Sequence, residues 1–199
     1  MTRFVSNLRA AAFCAAALAL PAAARALDLT PHATVHQGNE GPGVPVLEFT
    51  DGNKKIQWAS PHDWIPDGGG KSLTLSAPGA GGAWMKLRVV PIVKEDQQPV
   101  TDPSASADDL QAWAKQFLPS GAQDVVFVKM VSSPYTVCTH PSTEYIFAYA
   151  RYGAKQTISI SSVDFSDSER LVVIFAADPK EFDKVRQMIV ASMFNWQYM

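Results

Sequence analysis

The chain has 199 residues, with 17 basic against 19 acidic side chains and a formal net charge of −2. That balance excludes the clustered positive charge that a DNA- or RNA-tracking surface needs, and it excludes a polybasic patch for an anionic membrane. Two cysteines, Cys14 and Cys138, lie far apart, so Cys-x-x-Cys redox chemistry is excluded as well.

Arg3 and Arg9 give the N-terminus a positive region, Ala10 to Leu20 form a short apolar run, and Ala24-Arg25-Ala26 is a small-x-small cleavage site. Residues 1–26 therefore read as a secretory signal peptide cleaved after Ala26, which places the mature protein in the periplasm or outside the cell. The apolar run is too short for ~30 Å of hydrocarbon, and Pro21 interrupts it, so no integral membrane span is expected in the mature chain. Cys14 lies mid-run behind bulky Phe13, which argues against lipidation. Cleavage removes three arginines and no acids, leaving 14 basic against 19 acidic residues and a net charge near −5. Cys138 is then the remaining cysteine, and no intramolecular disulfide can form.

Residues 27–43 are rich in Pro, Gly, Thr and His and are expected to form an irregular N-terminal arm. A single domain is expected over 44–199. Val44 to Thr50 and Lys54 to Ala59, joined through Asp51-Gly52-Asn53, carry the strongest hairpin signal. A loop containing Gly68 to Gly70 precedes a strand over Lys71 to Ala77, and a second strand follows over Ala83 to Val93. Beyond the polar stretch Lys94 to Ala105, Ser106 with Asp109 forms a capping box. Leu110, Trp113, Ala114 and Phe117 then recur at helical spacing until Pro119. Strands are expected over Asp124–Val131, Thr143–Tyr152, Lys155–Phe165 and Glu169–Ala177. In the last, Leu171, Val173 and Phe175 alternate with Val172, Ile174 and Ala176, so both faces must be covered. Asp178-Pro179 opens a final helix whose apolar stripe is Phe182, Val185, Ile189, Val190 and Met193. The expected fold class is α+β: a mostly antiparallel sheet with an N-terminal hairpin and two main helices packed on it, as in an α/β/α sandwich.

Two segments along this order carry a resemblance. One is Ile56-Gln57-Trp58-Ala59-Ser60-Pro61-His62-Asp63-Trp64, and the other is Met188-Ile189-Val190-Ala191-Ser192-Met193-Phe194-Asn195-Trp196. With the element order between them, the chain resembles the PsbP-like family, which takes in PsbP, Mog-type proteins and small periplasmic proteins of the DcrB type. The resemblance implies a binding or assembly role rather than catalysis, and it supplies no ligand-binding residues.

The residues themselves offer three candidate chemistries. Trp84, Lys86 and Arg88 share one side of a strand, and an exposed tryptophan flanked by cations suits a partner surface, with partial burial of Trp84 under the N-terminal arm as the equal alternative. Cys138 and His140 are two apart and would share a face on a strand, the arrangement of a thiolate–imidazole pair, although no third orienting group is identifiable and Pro141 would break that strand. His32 and His36 offer a weak metal-binding pair, short of the three or four ligands a closed site needs. Asp108-Asp109 falls in the first turn of a helix, where acids complement the dipole, and Glu95-Asp96 reads as solvated surface. No phosphate-binding loop, nucleophile elbow or His-Glu-x-x-His motif is present. The expectation is an exported, non-enzymatic binding or assembly protein of the bacterial envelope, with no cofactor, no metal site and a protein partner. The alternatives are a thiol-dependent hydrolase centred on Cys138 and His140, or a weak metal binder.

Overall fold

A computed structural model describes residues 26–36, 43–79, 82–92 and 107–199. The expected signal peptide as far as Arg25, residues 37–42 of the expected arm, the stretch Lys94–Ala105 with Glu95-Asp96, and the Ser106 cap lie outside the described residues. Among those described are eleven strands and two helices of 9 and 12 residues. The strands are β1 (Leu27–His36), β2 (Val44–Asp51), β3 (Lys54–Trp58), β4 (Ile65–Gly69), β5 (Ser72–Ser76), β6 (Trp84–Pro91), β7 (Gln123–Val137), β8 (His140–Arg151), β9 (Ala154–Asp164), β10 (Glu169–Ala177) and β11 (Gln197–Tyr198). Helix α1 is Ala107–Lys115 and α2 is Phe182–Met193.

The strands form two antiparallel sheets, one of four in the order β1-β2-β3-β11 and one of seven in the order β4-β5-β6-β10-β9-β8-β7. Strand β10 lies inside the larger sheet between β6 and β9, and its alternation divides the core in two. Leu171, Val173 and Phe175 join Leu73, Leu75, Met85 and Leu87 on one face. That face is covered by the four-stranded sheet, through Leu29, Phe49, Ile56 and Trp58, and by α2, through Phe182, Val185, Ile189 and Met193. Val172, Ile174 and Ala176 point the other way, to Tyr145, Phe147, Ile158 and Ile160, under Trp113 and Ala114 of α1 and Phe117 in the turn that follows it.

This architecture corrects the α+β expectation. The fold is β-rich, and a second sheet takes over most of the covering that two helices were expected to supply. The difference begins in residues 27–43. Pro31 hides the strand from sequence reading, yet β1 is an edge strand, where proline is tolerated, and Pro31 falls in the register break between Asp28 and His32. Leu27 and Leu29 are fully buried, so Leu27–His36, most of the described part of the expected arm, is an edge strand whose start belongs to the core. The β2–β3 hairpin forms as expected, with Asp51 paired to Lys54 and Gly52 at φ 61° in the turn. The loop expected around Gly68 to Gly70 is instead mostly β4, paired with β5. Gly68 is required there: its φ is +105°, and a Cβ would lie 2.7 Å from the Ser72 carbonyl oxygen. Asp178 does not cap α2 itself. Its side chain accepts from the Lys180 amide at 2.9 Å, closing a turn just before the helix.

The segments Ile56–Trp64 and Met188–Trp196 meet in the core. The Trp58 indole N–H donates to the Ser192 carbonyl at 3.1 Å, and the Trp58 and Trp196 rings lie 5.4 Å apart with Phe49 stacked on Trp196 at 5.2 Å. A buried ion pair fastens α2 over the larger sheet. Glu144 is fully buried and accepts from Arg186 Nε at 3.0 Å, from Arg186 Nη2 at 2.5 Å and from Ser159 Oγ at 2.7 Å. Those carboxylate hydrogen bonds hold the Arg186 guanidinium more firmly protonated than usual. Among the described residues no helix is long and apolar enough to cross a membrane.

Candidate functional site

Strands β6 and β10 and helix α1 enclose a cleft of about 540 Å³ lined by Arg88, Val90, Trp113, Phe117, Arg170 and Asp109, among others. Its geometry follows from alternation. Trp84, Lys86 and Arg88 pair with Ala176, Ile174 and Val172, so all three side chains stand on the α1 face of the sheet. Arg170, two residues before Val172 on β10, stands on the same face. Trp113 near the end of α1 and Phe117 in the turn just beyond it, its amide donating to the Ala114 carbonyl at 3.1 Å, line the cleft with them.

The result is a pair of adjacent rings with a cation at each end. The Arg88 guanidinium lies 5.7 Å from the Phe117 ring centre, the Phe117 and Trp113 rings are 4.9 Å apart, and the Arg170 guanidinium lies 5.3 Å from Trp113. These spacings suit cation–π attraction. The two arginines differ in charge balance. Arg170 is 7 % exposed, and its Nε donates to Asp164 at 2.6 Å, so its charge is neutralised by a cross-strand partner. Arg88 is exposed and has no carboxylate partner among the described residues. Asp109 also lines the cleft, in the first turn of α1, where a carboxylate complements the positive end of the helix dipole. A partly apolar cleft walled by the Trp113 and Phe117 rings, with the exposed Arg88 guanidinium and the Asp109 carboxylate both in its lining, can hold on its Arg88 side an acidic group carried on an apolar body.

Sequence reading placed Trp84, Lys86 and Arg88 together, and the structure keeps them on one face but brings only Arg88 to the cleft. Trp84 is half-buried, the second of the two expected alternatives, but against the α1-side core and not under the N-terminal arm. Arg170 and the site role of Trp113 and Phe117 were missed. The available signal was the position of Arg170 at the head of a strand otherwise apolar on both faces, where a cation needs a specific partner.

Cys138 and His140 are arranged differently from expectation. Val137 pairs directly with His140, so Cys138 and Thr139 form a two-residue turn at φ 48° and 76°, and β8 continues through Pro141. Cys138 is 5 % exposed, and burial, reinforced by Asp51, pushes its thiol up to about 12. The His140 ring stacks on Phe165 at 5.4 Å. Both residues line a cleft of about 470 Å³ with Lys54, Trp196 and Tyr198, whose hydroxyl donates to Asp51 at 2.8 Å. A thiol in this setting stays protonated at neutral pH, the opposite of an activated nucleophile. His32 and His36 lie on β1, both exposed. Four residues along a strand span about 13 Å, too far for both imidazoles to ligate one ion. Among the described residues no group of three or more His, Cys, Asp or Glu side chains is placed to hold a metal.

No protein-family model matches the chain, and no curated protein matches it. Solved structures similar to it include LpqN of Mycobacterium tuberculosis, involved in cell envelope biogenesis, at 15% identity and a TM-score of 0.47, covering 85% of this chain and 92% of LpqN. Another is PA94 of Pseudomonas aeruginosa, a protein of unknown function, at 11% identity and a TM-score of 0.43, covering 82% of this chain and 94% of PA94. Neither carries the name PsbP or DcrB, and at TM-scores below 0.5 no functional conclusion follows from either.

Proposed function

We propose that the chain is an exported binding or assembly protein of the bacterial envelope, without a reaction centre of its own, whose ligand enters the cleft beside α1. The observation that carries this reading is Arg88, an exposed guanidinium over Phe117 with no carboxylate partner among the described residues. A ligand carboxylate or phosphate would supply that partner, and the neighbouring rings would take an apolar or aromatic portion. The leader-like first 26 residues support export. The packing of Ile56–Trp64 against Met188–Trp196 is compatible with the PsbP-like resemblance and the binding role it implies.

The test uses the full chain with its leader, carrying a photo-crosslinking side chain at exposed Gln116 on the cleft rim. Irradiation of intact cells should give a discrete adduct in the envelope fraction, and Arg88→Glu should abolish it while leaving the amount of exported protein unchanged. An adduct indifferent to Arg88→Glu removes the cleft from the reading. A chain retained in the cytoplasm removes export.

A further inference from the structure

The start of β1 has an arrangement that the ligand cleft does not use. Leu27 is fully buried, whereas Ala26 beside it is exposed, so among the described residues Leu27 is the first whose side chain belongs to the core. The Leu27 amide nitrogen lies 2.9 Å from Glu169 Oε2, across 142 residues of chain. Lys71 Nζ closes the other side, 2.5 Å from Glu169 Oε1 and 3.1 Å from the Leu27 carbonyl oxygen. The next turn of chain is fixed as well, with the Leu29 amide donating to Gly70 at 2.7 Å and the Gly70 amide donating to Thr30 Oγ1 at 3.0 Å. The Glu169 side chain is 17% exposed, so its charge is partly shielded from water.

We infer that Glu169 is the receptor for the mature N-terminus: cleavage between Ala26 and Leu27 frees a Leu27 α-ammonium that pairs with the Glu169 carboxylate. The inference rests on the export reading above. In the cleavage a leader peptidase adds water across the Ala26–Leu27 bond. The C–N bond breaks, Ala26 leaves as the carboxylate end of the leader, and the Leu27 nitrogen departs as an amine that takes up a proton. The peptide N–H facing Glu169 thereby becomes a charged donor at the same position, and charge-assisted hydrogen bonds are roughly twice as strong as neutral ones. Little is lost in exchange. Ala26 contributes one long contact, its carbonyl 3.4 Å from the Gly52 amide, and Gly52 is exposed to water. Lys71 lies on the other oxygen of the carboxylate, so the two cations share Glu169 without competing for one atom. Asp51, the cross-strand neighbour of Leu27, is engaged by the Tyr198 hydroxyl.

The experiment begins with the full chain expressed with its leader and recovered from the periplasm. Its intact mass should correspond to a chain beginning at Leu27. A periplasmic protein beginning at Arg25 or elsewhere overturns this inference and leaves the export reading standing, and a cytoplasmic protein that keeps Met1 overturns both. The mature protein and a form extended by Ala26 are then each compared with their Glu169→Gln variants by thermal unfolding. Glu169→Gln should lower the melting temperature of the Leu27-initiated form by about 2–4 °C more than that of the extended form. Equal losses overturn the receptor role. If the variants do not fold, the wild-type mature protein still decides the question: its α-amine should acylate with a succinimidyl ester at least tenfold more slowly when native than when denatured, and equal rates overturn the inference.

Discussion

Replacing Arg186 by methionine is the sharpest perturbation of the fold. The substitution keeps an unbranched stem for packing on the sheet and removes every nitrogen that Glu144 accepts from α2. Glu144, at 0% exposure, is left with the Ser159 hydroxyl at 2.7 Å as its remaining hydrogen-bond partner among the described residues. Stranding a buried charge in this way costs about 3–5 kcal/mol. For a domain of this length each kcal/mol shifts the midpoint by about 2–4 °C, so the melting temperature should fall by roughly 6–20 °C. Glu144→Met should cost less, because the Arg186 side chain is already 23% exposed and can turn its head to solvent. The double variant, with neither charge buried, should regain most of the stability that Arg186→Met loses. Urea unfolding of the four proteins completes a double-mutant cycle. A loss below about 1 kcal/mol for Arg186→Met, or a double variant no more stable than Arg186→Met, would refute the assignment of this pair as the fastening of α2.

Two further outcomes follow from local geometry. Cys138, its thiol pushed up to about 12 by burial, should resist iodoacetamide at pH 7 and react fully once denatured, with the native rate rising tenfold per pH unit and no plateau below pH 11; rapid native alkylation at neutral pH would revive the thiol-enzyme reading. Gly68→Ala meets the Ser72 carbonyl oxygen at 2.7 Å on a backbone with φ +105°, and should cost about 1–3 kcal/mol in chemical denaturation; a neutral result would mean that the β4–β5 turn relaxes freely.

The strands whose burial is set by their own alternation were legible. The two faces of Leu171–Ala177 fall into the two cores as the sequence divides them, and the β2–β3 hairpin forms around Gly52. Where special backbone overrides composition, sequence reading failed. Pro31 conceals an edge strand because its missing donor lies at a register break, and the glycines at 68–69 conceal β4 because they belong to a strand as well as a turn. Strand β7 runs past Ser132-Ser133-Pro134 to Val137 because a register break between Ser132 and Thr136 absorbs the irregular residues, with Ser133 at φ 50°. The Cys138-Thr139 turn has neither glycine nor asparagine to announce it. The cleft was half legible. Alternation put Arg88 on a shared face with Trp84 and Lys86, but its meeting with Trp113, Phe117 and Arg170 depends on where α1 docks, a long-range outcome with no local signature.

The proposed binding role depends on Arg88 as the anion-accepting group of the cleft. It is tested most directly by titrating the mature protein with 1-anilinonaphthalene-8-sulfonate, an anion on an aromatic body, by calorimetry. Wild type should bind one equivalent, and Arg88→Gln should weaken binding by about 10- to 150-fold, the loss expected of one charged hydrogen bond. The melting temperature should fall by no more than about 1–4 °C, since Arg88 is exposed and gives up its contact with the Phe117 ring alone. Equal affinity in the two proteins, or several equivalents bound with no dependence on Arg88, would contradict the claim.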